Sequence, residues 1–156
     1  MSVEDNVALM KRWFHEVWNE GRVETVNELL AEDAIGMGQG LRGAVTRGPR
    51  DFVPFVKRIR GAFPDIRLKV EDAFGAGEKV AIRWSADMTH RGSDLGVPST
   101  GKRVRITGIT IVRIAKGKIA EGWDNWDQLA LMQQIGALQE VRPVTLAGDM
   151  QQSAKR

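Results

Sequence analysis

The chain has 156 residues, 42% apolar and 28% charged, with a formal net charge of +3. That length supports one core, and acids are interleaved with bases throughout, so the small basic excess reads as solvated surface rather than a nucleic-acid footprint. Cysteine is absent and histidine occurs twice, which excludes disulfides, thiolate metal sites, a thiol nucleophile and a His-based metal centre. No apolar run reaches the length of a membrane span. The N-terminal MSVEDNVALMKRW puts acids ahead of bases and has no signal-peptide core, so a cytoplasmic protein without membrane or nucleic-acid partners is expected.

Val7, Met10, Trp13, Phe14 and Val17 recur at helical spacing, with Gly21 as a stop signal; Val23, Val26, Leu29 and Leu30 form a second, shorter stripe. The Gly-rich stretch from Ala34 to Gly48 reads as irregular or weakly extended. Gly48-Pro49 is placed to start a third helix with the stripe Phe52, Phe55, Val56, Ile59 and Phe63. Pro54 conflicts with that start because an interior proline loses a backbone hydrogen bond. The expectation is a start near Asp51 or a distorted first turn.

The remainder reads as strands. Ile66, Leu68, Val70 and Phe74 alternate with charged residues, and a turn is expected at Gly75–Gly77. Val80, Ile82, Trp84, Ala86, Met88 and His90 share one face of the next strand. After a loop at Gly92–Gly101, Val104, Ile106, Gly108, Thr110, Val112 and Ile114 share a face, with Arg103, Arg105 and Arg113 opposite. A tight turn at Ala115–Lys118 leads to a last strand, on which alternation groups Ala120, Gly122, Asp124 and Trp126. Asp127 and Gly136 then bracket a short helix as N-cap and C-cap. Helices followed by consecutive strands indicate an α+β domain over residues 1–138, with a tail at 139–156.

Four motifs stand in order: R-W-S-A-D-M-T-H-R-G (Arg83–Gly92), L-G-V-P-S-T-G-K (Leu95–Lys102), G-K-I-A-E-G-W-D-N-W-D (Gly117–Asp127) and Q-Q-I-G (Gln133–Gly136). Together with F-H-E-V-W-N-E-G (Phe14–Gly21) and R-G-A-F-P-D (Arg60–Asp65), they resemble the SnoaL-like polyketide cyclase, or ester cyclase, family of the nuclear transport factor 2-like superfamily. The resemblance runs from about Val7 to Leu138. It implies a cone-shaped, cystatin-like roll, in which a curved antiparallel sheet wraps around the N-terminal helices and encloses a pocket. It also implies intramolecular aldol ring closure without metal or cofactor, although the superfamily includes hydrolases, isomerases, oxygenation proteins and binders.

The resemblance places the family's acid/base aspartate at Asp124. One carboxyl in an apolar pocket is sufficient for this chemistry: it removes a proton between two carbonyls and returns it to the oxygen under attack. Thr89-His90 matches a pair frequent in the family, which makes His90 a second catalytic candidate, with a structural histidine as the alternative. Trp126, Trp84, Met88, Trp18 and Thr110 are expected to contact a small apolar or aromatic ligand. Thr110 stands where some cyclases have histidine, and Gly36, Met37, Gly38 and Gln39 stand where relatives place a polar histidine or asparagine. Met37 is therefore expected at the pocket wall. Asp127 reads as an N-cap or a ligand contact.

Exposed Ile109 and Ile111 on the Arg-bearing face, with the family's habit of dimerising there, lead us to expect a homodimer through the outer sheet face. A non-catalytic binding or dimerisation module is the alternative to the cyclase. An epoxide hydrolase ranks behind both, because that chemistry uses a tyrosine and this chain has none.

Overall fold

A computed structural model describes residues 1–40 and 43–139. The expected tail, from residue 140 onward, and residues 41–42 of the Gly-rich stretch lie outside the described residues. Helix α1 (Val3–Trp13) starts at Ser2, whose side chain accepts from the Asp5 amide while Asp5 accepts from the Ser2 amide. This reciprocal cap satisfies two otherwise unpaired donors. The helix then widens into a π-helical turn at Phe14–Asn19, where the Glu20 amide donates to the His15 carbonyl. Phe14 and Trp18, four positions apart and so on one side of the turn, both line one cavity. Asn19 fastens the turn to the sheet, donating to the Leu68 carbonyl and accepting from the Leu68 amide.

Helix α2 (Val23–Leu29) passes directly into strand β1 (Leu30–Met37), and β2 (Thr46–Arg47) follows. The strand over Leu30–Met37 was legible as a helix end at Leu30 and, from Ala34, as an irregular or weakly extended stretch. It exists because both its edges are paired, with β2 on one side and the last strand on the other. Helix α3 (Gly48–Ala62) keeps Pro49 in its first turn and Pro54 in its interior. Of the two expected starts, it takes the earlier, at Gly48-Pro49, rather than the one near Asp51. Pro54 is tolerated because it is exposed, so the carbonyl it leaves without a partner faces water.

Strands β3 (Arg67–Ala76), β4 (Lys79–Thr89), β5 (Arg103–Ala115) and β6 (Lys118–Trp126) form a meander, closed by α4 (Gln128–Gln134). The curved sheet has the order β2-β1-β6-β5-β4-β3. Its ladders are antiparallel except for β1 against β6, which is parallel. The expected wholly antiparallel sheet therefore needs this one correction. The two strands are far apart in sequence, so the connecting chain can bring them together in either sense.

Val80, Ile82, Trp84, Val104, Ile106 and Val112 are buried on the concave face, as alternation requires. Two bulges break the simple pattern. One between Val70 and Asp72 flips the following residues, so that Phe74 is 64% exposed instead of sharing the inner face. The other makes Ala120 the extra residue opposite Arg113–Ile114, so Ile119 takes the inward position that alternation assigned to Ala120. Asp127 caps α4 by accepting from the Ala130 amide at 3.0 Å, and Gly136 has the positive φ of 78° that ends such a helix.

Candidate active site

A cavity opens between the concave face of the sheet, α1 with its π-helical turn, α3 and α4. Its volume is about 80 Å³, below the roughly 300–1,000 Å³ of most small-molecule sites. Aromatic and aliphatic side chains make most of the wall. Trp18 meets Phe52 and Phe55 edge to face, at centroid distances of 6.1 and 5.9 Å. Apart from the tryptophan indoles, the polar side chains of the lining among the described residues are Gln39, Thr110 and Asp124, and these three form one cluster.

The register of the strands assembles that cluster. Asp124 on β6 lies opposite Thr110 on β5, and Gly122 lies opposite Gly36 on β1. Trp84 on β4 is paired with Gly108, and a side chain at 108 would sit 2.3 Å from the indole ring. Without one, the indole crosses the strand and its Nε1–H donates to Thr110 Oγ1 at 3.0 Å. An indole only donates, so Thr110 accepts from Trp84 and gives its own proton to Asp124 Oδ1. On the other side the Gln39 side chain also bonds Asp124. Thr46 Oγ1 in turn donates to Gln39 Oε1 at 2.8 Å. Trp126 donates from Nε1 to the Gly38 carbonyl at 3.0 Å, holding the end of β1 against β6.

Burial pushes the Asp124 carboxyl up to about 6, and the hydrogen bonds from Thr110 and Gln39 act in the opposite direction. The residue keeps some accessible surface, and it lines the cavity. It is the one ionisable side chain among the described residues of the lining. A carboxyl so tuned is poised to exchange a proton near neutral pH.

Trp18, Trp84, Met88, Thr110 and Trp126 all line this cavity with Asp124. His90 does not: it is fully buried, its Nδ1 lies 3.0 Å from Thr100 Oγ1, and its ring packs 5.6 Å from Phe63, which does line the cavity. Asp127 is exposed and engaged as the α4 cap. Met37 is 40% exposed and outside the lining. It is opposite Trp123, whose side alternates away from Asp124. Gln39 and Thr46 complete the cluster; the sequence named Gln39 only as standing where relatives place histidine or asparagine, and did not point to Thr46. The available signal was a polar side chain within a glycine run, where a histidine or asparagine is common.

An α+β roll whose curved sheet closes over an apolar cavity is of the nuclear transport factor 2-like class. The chain belongs to the SnoaL-like polyketide cyclase family, whose model matches residues 8–135. It is 28% identical over 122 residues to the aklanonic acid methyl ester cyclase DauD of Streptomyces sp. (strain C5), covering 78% of this chain and 76% of that protein. It is equally similar to the aklanonic acid methyl ester cyclase DnrD of Streptomyces peucetius, covering 84% of that protein. Among solved structures, TsrD from Streptomyces laurentii superposes with a TM-score of 0.77 at 27% identity, covering 88% of this chain and 99% of that one.

Proposed function

We propose that the protein is a cofactor-independent cyclase that closes a ring in a small, largely apolar carbonyl compound by intramolecular aldol addition, with Asp124 as the acid/base. The observation that carries this reading is Asp124, largely buried, the lone ionisable lining residue and without a cationic partner among the described residues, with its pKa raised to about 6. As carboxylate it takes a proton from a carbon flanked by two carbonyls, and the substrate's conjugation spreads the resulting charge. The enolate carbon attacks a second carbonyl of the same molecule. The new alkoxide then recovers the proton from the Asp124 carboxylic acid, so the step is redox-neutral and returns the starting carboxylate. The apolar wall holds the substrate folded for closure, which supplies much of the rate. The two related ester cyclases support the same class of chemistry.

No arginine lines the cavity among the described residues, which disfavours the epoxide hydrolase reading, whose water attack relies on an Asp-Arg-Asp set. The enzyme reading extends to a homodimer through the convex sheet face, working in the cytoplasm.

The test is a thermal-shift screen of β-dicarbonyl and polycyclic ketone ligands, followed by turnover assays on the hits. Asp124→Asn is expected to lower turnover on the order of 10²–10⁴-fold with ligand affinity retained. Asp127→Asn should leave turnover near wild type, since asparagine also caps helices well. Full activity in Asp124→Asn would remove the assignment, and ligand binding without turnover would favour the binding-module reading.

A further inference from the structure

The Gln39 amide is held with unusual care for a residue in a glycine run. Its oxygen accepts from Thr46 Oγ1 at 2.8 Å, which leaves the NH₂ group to face Asp124. Two glycines make its seat. A Cβ at Gly36 would lie 2.3 Å from Gln39 Oε1 and 2.5 Å from Thr46 Oγ1, and one at Gly122 would lie 3.1 Å from Gln39 Nε2. Those glycines pair with each other across the parallel β1–β6 ladder. The amide therefore occupies space that side chains on either strand would fill. The arrangement mirrors the opposite side of the carboxyl, where Gly108 makes room for Trp84 and Trp84 fixes the direction of Thr110.

We propose that Gln39, oriented by Thr46 and seated on Gly36 and Gly122, is a positioning residue that holds the Asp124 carboxylate in its reactive orientation and sets the pH at which it accepts a proton. This rests on the reading of Asp124 as the acid/base. Asp124 receives two directed donors, one through each brace, and both favour its ionised form. Burial favours the neutral form, and the balance between them decides where the group titrates. Removing the Gln39 brace leaves burial opposed by Thr110 alone, so the carboxyl holds its proton to higher pH. Thr46 acts only through Gln39, because its hydroxyl reaches the amide oxygen and not the carboxyl.

The experiment is a ¹³C NMR titration of the Asp124 carboxyl in the full chain, run for wild type, Gln39→Leu, Thr46→Val and the double variant. In Gln39→Leu the midpoint is expected to rise by about one pH unit, the size of a hydrogen bond to a charged group. Thr46→Val should move it the same way by less, and adding Thr46→Val to Gln39→Leu should do nothing further. Gln39→Glu should raise it most, because two carboxyls then share one site. On any turned-over substrate, the acidic limb of kcat/KM should follow the same order. An unchanged midpoint in both single variants overturns the proposal, as does an additive effect of Thr46→Val on the double variant. If Gln39→Leu does not fold, Thr46→Val with its conservative partner Thr46→Ser, expected to restore the wild-type midpoint, decides the matter. The titration reads the hold of Gln39 on Asp124 whether or not turnover exists, so its failure is distinguishable from failure of the cyclase reading, which Asp124→Asn tests.

Discussion

At the residue scale, Asp124 trades stability for reactivity. In the folded protein it keeps its proton up to about pH 6, against 3.8 for an ordinary aspartate. Between those values the folded state binds more protons than the unfolded chain, so ionising Asp124 destabilises the fold progressively as pH rises from about 4 to about 6. The full effect, present above pH 6, is about 3 kcal/mol at 1.36 kcal/mol per unit. Other carboxyls act with the opposite sign. Asp87, which accepts from Arg105, and Glu16, which accepts from Thr25 and Arg12, are held below the usual carboxylate range. The difference between wild type and Asp124→Asn isolates the one group. Denaturant titrations at pH 4, 5, 6 and 8 should show the asparagine variant gaining on wild type up to pH 6 and then levelling. A pH-independent difference would place the carboxyl in water.

At the scale of elements, the site depends on how closely β1 approaches β6. Gly38 has a φ of 78°, and a Cβ there would lie 2.1 Å from the Asp124 carbonyl oxygen. Gly38→Ala combines a left-handed backbone with a backbone clash, so it should destabilise by more than about 2 kcal/mol and detach the end of β1. Hydrogen exchange should then show lost protection along β1 and β6 while the β3–β5 ladders stay protected. Uniform protection would show that the contact yields without cost. These strands also mark what the sequence revealed and what it concealed. Alternation along β4 and β5 was plain because each has one wet and one dry face, and the motif order pointed to Asp124. The strand character of Leu30–Met37 showed only as a weakly extended reading from Ala34, because its longer ladder is with β6, distant in the chain. The two bulges were hidden because one extra residue leaves no compositional trace, and so Phe74 and Ala120 were assigned to the wrong faces. Gln39 was given no part in the site because its importance comes from the space left by Gly36 and Gly122, which only the ladder brings together.

At the scale of the whole molecule, the convex face carries an apolar row that crosses five strands. Cross-strand register runs from Phe74 to Ala81, Ile111, Trp123 and Met37, with Phe74, Ile111 and Met37 exposed. Such a stripe on one side of a sheet suits a second copy of the same surface. Light scattering at micromolar concentration should give twice the chain mass, with a buried area of roughly 1,200–2,000 Å² or more. Ile111→Glu should give a monomer with its cavity intact, whereas a wild-type monomer would leave the stripe without that role. The parallel ladder has a further consequence, for the order of folding. The indole bond from Trp126 to the Gly38 carbonyl, just past the end of that ladder, spans 88 positions, so the chain must close a long loop before that contact yields any return. Helices and hairpins made of near neighbours can form first, but an Asp124 braced on both sides does not exist until β1 has met β6. The raised proton affinity of Asp124, which burial causes, is therefore expected only in forms of the chain that have made this closure.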